Sequence, residues 1–96
     1  MVSKSTAVRI SFSSINFLKK IKRNKETYDL VINKLIDECT QVIDQVEEDI
    51  YEPYEIFVIK MTDGTKERLD EIAKDKLSNR SEVLRRLIQA KAKGLC

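Results

Sequence analysis

The side chains best placed to do chemistry lie in two short stretches in which every second residue is apolar. Arg9 and Ser11 occupy alternate positions of the first stretch, and Val58 and Lys60 occupy alternate positions of the second. Because such alternation predicts β-strands, we expect these side chains to project from the strand faces that point away from the core. Arginine and lysine suit the acceptors of guanine, a serine hydroxyl suits a secondary hydrogen bond, and valine suits a thymine methyl group. The two stretches therefore predict a surface that reads DNA bases; the alternative role for Arg9 and Lys60 is that of solvated strand positions.

The charge of the chain is divided into three blocks, although its net charge is only +2. Residues 1–34 carry eight Lys or Arg and two acids, residues 35–55 carry eight acids and no basic residue, and residues 56–96 carry ten Lys or Arg and six acids. The blocks have net charges of +6, −8 and +4. Two basic units on either side of an acidic connector indicate a polyanionic partner, although many single lysines here only solvate helix faces.

The sequence offers no evident residues for catalysis or for a cofactor. It contains no His, and it has no nucleophile motif, no evident carboxylate pair and no Gly-rich phosphate loop. We therefore expect no enzyme, no metal or other cofactor, and no small-molecule ligand. Cys39 and Cys96 lack metal-ligand spacing, and we expect free thiols, with a disulfide or an intermolecular bridge as the alternative.

No apolar run approaches the roughly 18 residues that a transmembrane helix needs, and the first residues contain no secretion signal. We therefore expect a protein that acts in the cytoplasm, without a membrane partner; for a viral protein this is the cytoplasm of the host cell.

Residues 55–88 have the pattern of one strand followed by two helices. Alternating apolar residues at positions 57, 59 and 61 form the strand, and Thr62 or Asp63 caps the helix that follows. The second helix opens with a capping box at positions 79–82. Its apolar stripe consists of Val83, Leu84, Leu87 and Ile88. A lone strand with two short helices cannot close a core, so this unit must pair with another.

The first third of the chain repeats this pattern in a degenerate form. A strand around Val8 and Ile10 precedes a helix from Ile15 to about Lys22, for which Ser13 or Ser14 is the expected cap. A second helix begins near Thr27. Its apolar stripe, which matches the later one at an offset of 52, consists of Val31, Ile32, Leu35 and Ile36. The first helices match at an offset of 51, through Leu18 and Leu69, and the strands match at either 51 or 49.

Between the repeats, apolar residues continue at helical spacing through the acidic segment. We expect one long helix from about Glu26 to about Asp49, which ends before Pro53 because the residue before a proline disfavours α geometry. Tyr51 and Tyr54 flank this proline and are expected to pack around the turn. The predicted organisation is a first repeat over residues 1–36, an acidic helical connector and turn over 37–54, and a second repeat over 55–96.

The order strand, helix, helix, with NRSE opening the last helix, resembles the ribbon-helix-helix family of transcriptional regulators. The likeness is specific within residues 57–88, where VIKM, ERLDEIA and NRSEVLRRLI follow the family pattern, and it is weak in the first repeat. It implies a mostly α fold with a short antiparallel β-ribbon, a tandem ribbon-helix-helix (β-α-α-β-α-α) that forms an intramolecular pseudo-dimer. Tandem proteins of this kind are encoded by archaeal viruses.

The resemblance also assigns DNA-phosphate contacts to the start of the second helix in each repeat. The residues at these places are Asn79, Arg80 and Ser81 in the second repeat and Lys25, Thr27 and Tyr28 in the first. Backbone N–H groups and the helix dipole suit this task. The alternative role for Asn79 is plain helix capping.

By this resemblance we expect a sequence-specific double-stranded DNA-binding transcriptional regulator, a repressor that also controls its own promoter, with its ribbon in the major groove. Its expected partner is a double-stranded DNA operator, on which two or more tandem chains associate with one another. Two alternatives remain open. One is an antitoxin that binds a toxin and its own promoter, which the short stretch after Ile88 disfavours, and the other is a pure assembly module.

The outer positions of the second strand depart from the family pattern. Ile56 and Val58 are apolar, whereas the family usually has polar base-reading residues at these places. Either Val58 contacts a thymine methyl group, or another segment or a second chain covers this face.

Overall fold

Two strands, β1 (Lys4–Ser11) and β2 (Tyr54–Met61), form an antiparallel ribbon in the computed structural model, which describes residues 4–47, 52–75 and 78–96. Within these ranges four α-helices and one 3-10 helix make up most of the chain. They are α1 (Phe12–Ile21), α2 (Tyr28–Cys39), the 3-10 helix Thr40–Gln45, α3 (Asp63–Asp75) and α4 (Arg80–Ala92). The expectation of a mostly helical chain with a short antiparallel ribbon is confirmed. None of these helices is long and apolar enough to cross a bilayer.

The ribbon buries one of its two faces. Lys4 pairs with Met61 and Ser11 pairs with Tyr54, so the strands overlap along their whole length. Side chains that point inward are almost completely buried: Val8 is 1% exposed, Ile10 0%, Ile59 1% and Met61 0%. Because side chains alternate between the faces of a strand, this burial determines which residues lie on the opposite face.

The two helical stripes predicted from the sequence form the centre of the core. All eight of their residues are buried, together with Leu18 of α1 and Leu69 of α3. The second helix of each half packs on the strand of the other half: α4 packs on β1, and α2 packs on β2. The two halves therefore share one core, which explains how two units that are each too small to fold are stable together.

Short polar residues begin the helices, as expected, but the cap of α1 differs from the prediction. Ser11 is the cap, since its Oγ accepts a hydrogen bond from the Ser14 N–H at 3.3 Å. The expected caps were Ser13 and Ser14, but the Ser13 N–H donates instead to the Glu52 carboxylate at 2.8 Å. The helix begins at Phe12 rather than Ile15, because the strand turns into the helix without a loop.

The prediction of one long helix from Glu26 to Asp49 is wrong. Regular α geometry begins at Tyr28 and ends at Cys39, and residues 40–45 wind as a 3-10 helix. The Thr40 hydroxyl donates to the Ile36 carbonyl, and this competes with the backbone bonding of a continuing α-helix. The tighter winding also buries Ile43 against the core. The predicted end at Asp49 and the packing of Tyr51 lie outside the described residues.

The expectation of free thiols is also wrong. Cys39 at the end of α2 and Cys96 form a disulfide, with their Cα atoms 5.4 Å apart. Gly94, with φ 75°, turns the chain back after α4. The Leu95 N–H donates to the Ala90 carbonyl at 3.0 Å and the Gly94 N–H to the Lys91 carbonyl at 3.1 Å, the arrangement of a Schellman cap. This reversal brings Cys96 to α2, and it confirms the expected helix stop at Gly94.

Replacing Cys96 by Ser is expected to lower the free energy of unfolding by about 2–4 kcal/mol, because the bridge restricts the unfolded chain. The bridged residues are 57 positions apart, so the restriction is large. Guanidinium unfolding of the oxidised protein, the reduced protein and Cys96→Ser measures the effect. The last two should agree, whereas equal midpoints for the oxidised and reduced proteins would show that the bridge contributes nothing.

Candidate nucleic-acid interface

The ribbon face opposite the core, here called the outer face, is made of three cross-strand pairs. They are Ser5 with Lys60, Ala7 with Val58, and Arg9 with Ile56. All six residues are exposed, and Ile56 and Val58 keep 67% and 59% of their surface accessible. The described parts of the chain therefore leave this face uncovered. The structure brings together three of the predicted base-reading residues, Arg9, Lys60 and Val58.

Ser11 does not belong to the outer face, and its predicted position there is wrong. Only 2% of its surface is accessible. Its hydroxyl donates to the Ser14 Oγ at 2.9 Å and caps α1. Strand alternation places Ser11 outward, but the chain bends into α1 at this residue and turns its side chain inward. A role in reading bases is therefore ruled out for Ser11 in this conformation.

The backbone of Arg9 is attached to α4. Its N–H donates to the Ser81 Oγ at 3.2 Å, and its carbonyl accepts from the Arg85 guanidinium at 2.7 Å. Arg85 also lies over the ring of Tyr54, 4.2 Å from the ring centre. Both backbone groups of Arg9 on the free edge of β1 are thus satisfied by one helix face. This arrangement holds the Arg9 backbone at a defined position relative to the start of α4.

The start of α4 is built by Asn79 and by an ion pair. Asn79 caps the helix by accepting the Glu82 N–H at 2.9 Å, which is the capping role considered for it. Arg80 donates to both carboxylate oxygens of Asp70, at 2.9 and 2.7 Å. These hydrogen bonds lower the pKa of Asp70 and raise the pKa of Arg80. The Arg80 guanidinium is therefore already bound to Asp70. An anion at this helix start would contact the backbone N–H groups of Arg80 and Ser81 instead, because these groups have no acceptor within the helix.

The start of α2 has different chemistry. Thr27 caps the helix by accepting the Leu30 N–H at 3.2 Å, and the Tyr28 ring packs edge-on against Phe57 with ring centres 5.6 Å apart. Lys25 is exposed beside them. The carboxylate of Asp29, in the first turn of α2, accepts the Thr62 N–H at 2.8 Å. Asp29 occupies the position that Ser81 occupies in α4. Both helix starts carry an acid in the first turn, Asp29 in α2 and Glu82 in α4.

Sequence reasoning missed Arg85 and Asp70 and assigned Ser81 only through its backbone. The signal was the spacing of Ser81 and Arg85, which are four positions apart and so share one helix face. No group of three potential metal ligands occurs within the described ranges.

Comparison with known proteins places the chain in a viral family. No protein-family model matches it, and no solved structure matches it. Over all 96 residues, and over the full length of both proteins, it is 42% identical to "Uncharacterized protein 29" of Sulfolobus islandicus filamentous virus (isolate Iceland/Hveragerdi). The chain belongs to the family of this viral protein. Because the match runs through both strands and all the helices described above, the members of this family are expected to share the fold.

Replacing Ser81 by Ala is expected to speed exchange of the Arg9 amide hydrogen about fivefold, because a hydrogen bond of about 1 kcal/mol is lost. Hydrogen exchange followed by NMR measures the rate. The amide of Val8 is the control, since alternate residues of β1 point their backbone groups toward β2 instead. An unchanged Arg9 rate would show that α4 does not hold the edge of β1.

Replacing Asp70 by Asn is expected to remove a pH-dependent part of the stability. The pKa of Asp70 is lower in the folded protein than in the unfolded chain, so its stabilisation is present above about pH 4 and is lost as the pH falls further. Because the Asp70 side chain is 51% exposed, the effect is at most about 1 kcal/mol. Thermal unfolding across this pH range measures it, with Glu71→Gln as the control. The curves of the wild type and Asp70→Asn should converge at low pH, and a constant gap would contradict the assignment.

Proposed function

We propose that this protein is a tandem ribbon-helix-helix regulator of transcription that binds double-stranded DNA with its ribbon in the major groove. The observation that carries the proposal is the outer face. It is a two-stranded ribbon that the described parts of the chain leave uncovered, with cationic side chains, Arg9 and Lys60, near its two ends. A two-stranded ribbon fits the width of the major groove, and its outward side chains then meet base edges.

An internal repeat supports the pseudo-dimer part of the proposal. The buried strand residues Ile10 and Met61 are 51 positions apart, and so are the caps Ser11 and Thr62, each of which accepts the N–H of the residue three positions later. This offset favours 51 over 49 for the strands. Ala7 lies directly opposite Val58, and these two are also 51 apart. A pseudo-twofold axis between the halves would therefore pass through this pair, at the centre of the outer face.

The side chains of the outer face suit base recognition at both ends. Arg9 offers a planar fork for the O6 and N7 acceptors of guanine, and Lys60 offers an ammonium for the same edge. The attachment of Arg9 to Ser81 places the start of α4 beside the reading strand. In the proposed complex the backbone N–H groups of Arg80 and Ser81 contact a phosphate next to the base that Arg9 reads, and Lys25 neutralises a second phosphate.

Binding to a random pool of DNA duplexes, followed by sequencing of the bound fraction, tests the proposal. A clear consensus and a submicromolar complex are expected. The affinity should fall steeply with salt, because each neutralised phosphate contributes about −0.9 to the log–log slope. Failure to bind any duplex at low salt would contradict DNA binding altogether.

Replacing Arg9 by Ala should reduce discrimination at one base position about 5- to 150-fold, which corresponds to about 1–3 kcal/mol. Lys60→Ala should act at a second position, and Lys93→Ala, beyond the end of α4, should leave both unchanged. The relative affinities of single-base variants of the consensus measure each effect. Full specificity in the Arg9→Ala, Lys60→Ala double variant would show that the ribbon does not read the bases.

A further inference from the structure

The centre of the outer face carries no hydrogen-bonding side chain. Ala7 faces Val58, and Ile56 continues this surface toward Arg9, its cross-strand partner. Val58 and Ile56 are 59% and 67% exposed. A basic residue stands on each side, Arg9 beside Ile56 and Lys60 two positions beyond Val58. An apolar strip between two cations is complementary to a polyanion that has apolar groups in a groove.

We infer that Val58 and Ile56 read thymine methyl groups in an operator that is not palindromic. This inference rests on the proposed function and specifies its DNA. The thymine methyl is the apolar group that base pairs display in the major groove, whereas the other groups there are hydrogen-bond donors and acceptors. If valine or isoleucine covers those polar groups, they lose their hydrogen bonds to water and gain none from the protein, which lowers the affinity.

The ribbon geometry sets the spacing of the contacts. Two residues along an antiparallel strand advance about 6.8 Å. The Arg9–Ile56 and Ser5–Lys60 pairs are four residues apart along β1. Guanines read by Arg9 and Lys60 are therefore about 14 Å apart along the ribbon, and the thymine read by Val58 lies between them. The thymine read by Ile56 lies beside the guanine read by Arg9.

The two ends of the outer face are not equivalent. Residues related by the offset of 51 differ in chemistry: Ser5 corresponds to Ile56, and Arg9 corresponds to Lys60. One end thus presents arginine with isoleucine, and the other presents lysine with serine. A chain with unequal ends binds best to unequal half-sites and in a single orientation. The thymine beside the Arg9-contacted guanine has no counterpart beside the guanine contacted by Lys60.

Uracil substitution tests the inference on the consensus duplex obtained by selection. Uracil keeps every hydrogen-bonding group of thymine and removes only the methyl, so each read methyl should cost about fourfold in affinity. The loss at the central thymine should disappear in Val58→Ala, and the loss at the thymine beside the Arg9-contacted guanine should disappear in Ile56→Ala. Both side chains are exposed, so these variants keep the core intact. Val58→Thr, which retains the branched shape, should retain part of the uracil effect.

Control measurements separate the possible outcomes. Leu95→Ala, an exposed apolar residue (41%) at the opposite end of α4, should keep the full uracil effect. Specific binding that is unaffected by uracil overturns the inference and leaves the proposed function standing, whereas absence of specific binding overturns both. A palindromic consensus with equal uracil effects in its halves overturns the single orientation. Sedimentation of the free protein completes the test. If the protein is a dimer, and Val58→Thr or Val58→Lys converts it to a monomer, then the strip binds a second copy and the inference is overturned.

Discussion

The structure depends on the burial of one face of a two-stranded ribbon. Two strands alone are not stable in water, so β1 and β2 exist because Val8, Ile10, Ile59 and Met61 pack on the helices. That burial also decides the chemistry of the opposite face. A shift of β1 by one residue would turn Arg9 into the core and Val8 to solvent, at the cost of every core contact of the strand. The choice of residues on the outer face is therefore as firmly determined as the core itself.

Much of this arrangement is visible in the sequence because it follows from periodicity. The helical stripes and the alternation in both strands predicted the core, and the polar caps predicted three of the four helix starts. The failures occur where two local rules compete. Alternation assigns Ser11 to the outside, but the helix that starts at the next residue needs its hydroxyl. Apolar spacing carries α2 past Cys39, but the Thr40 hydroxyl binds back to Ile36 and the winding changes.

The candidate site shows the same division between local and distant causes. Arg9, Val58 and Lys60 could be predicted because strand alternation places them, whereas the hydrogen bonds from Ser81 and Arg85 could not. These bonds join residues more than 70 positions apart, and they exist because α4 of the second half packs on β1 of the first. The disulfide belongs to the same class, since only the packing of α2 beside α4 brings Cys39 to Cys96. Contacts between the halves are thus the part of the site that sequence patterns do not reveal.

Both strands of the ribbon belong to one polypeptide, and this affects how the protein responds to dilution. A ribbon assembled from two chains is lost when their concentration falls below the dissociation constant of the dimer. Here the connector holds each strand near its partner at an effective concentration of about millimolar, whatever the amount of protein present. The outer face is therefore complete in a single molecule. In the proposed complex with DNA, occupancy by one such molecule then rises in proportion to the number of chains, and not with its square, from the first copies made.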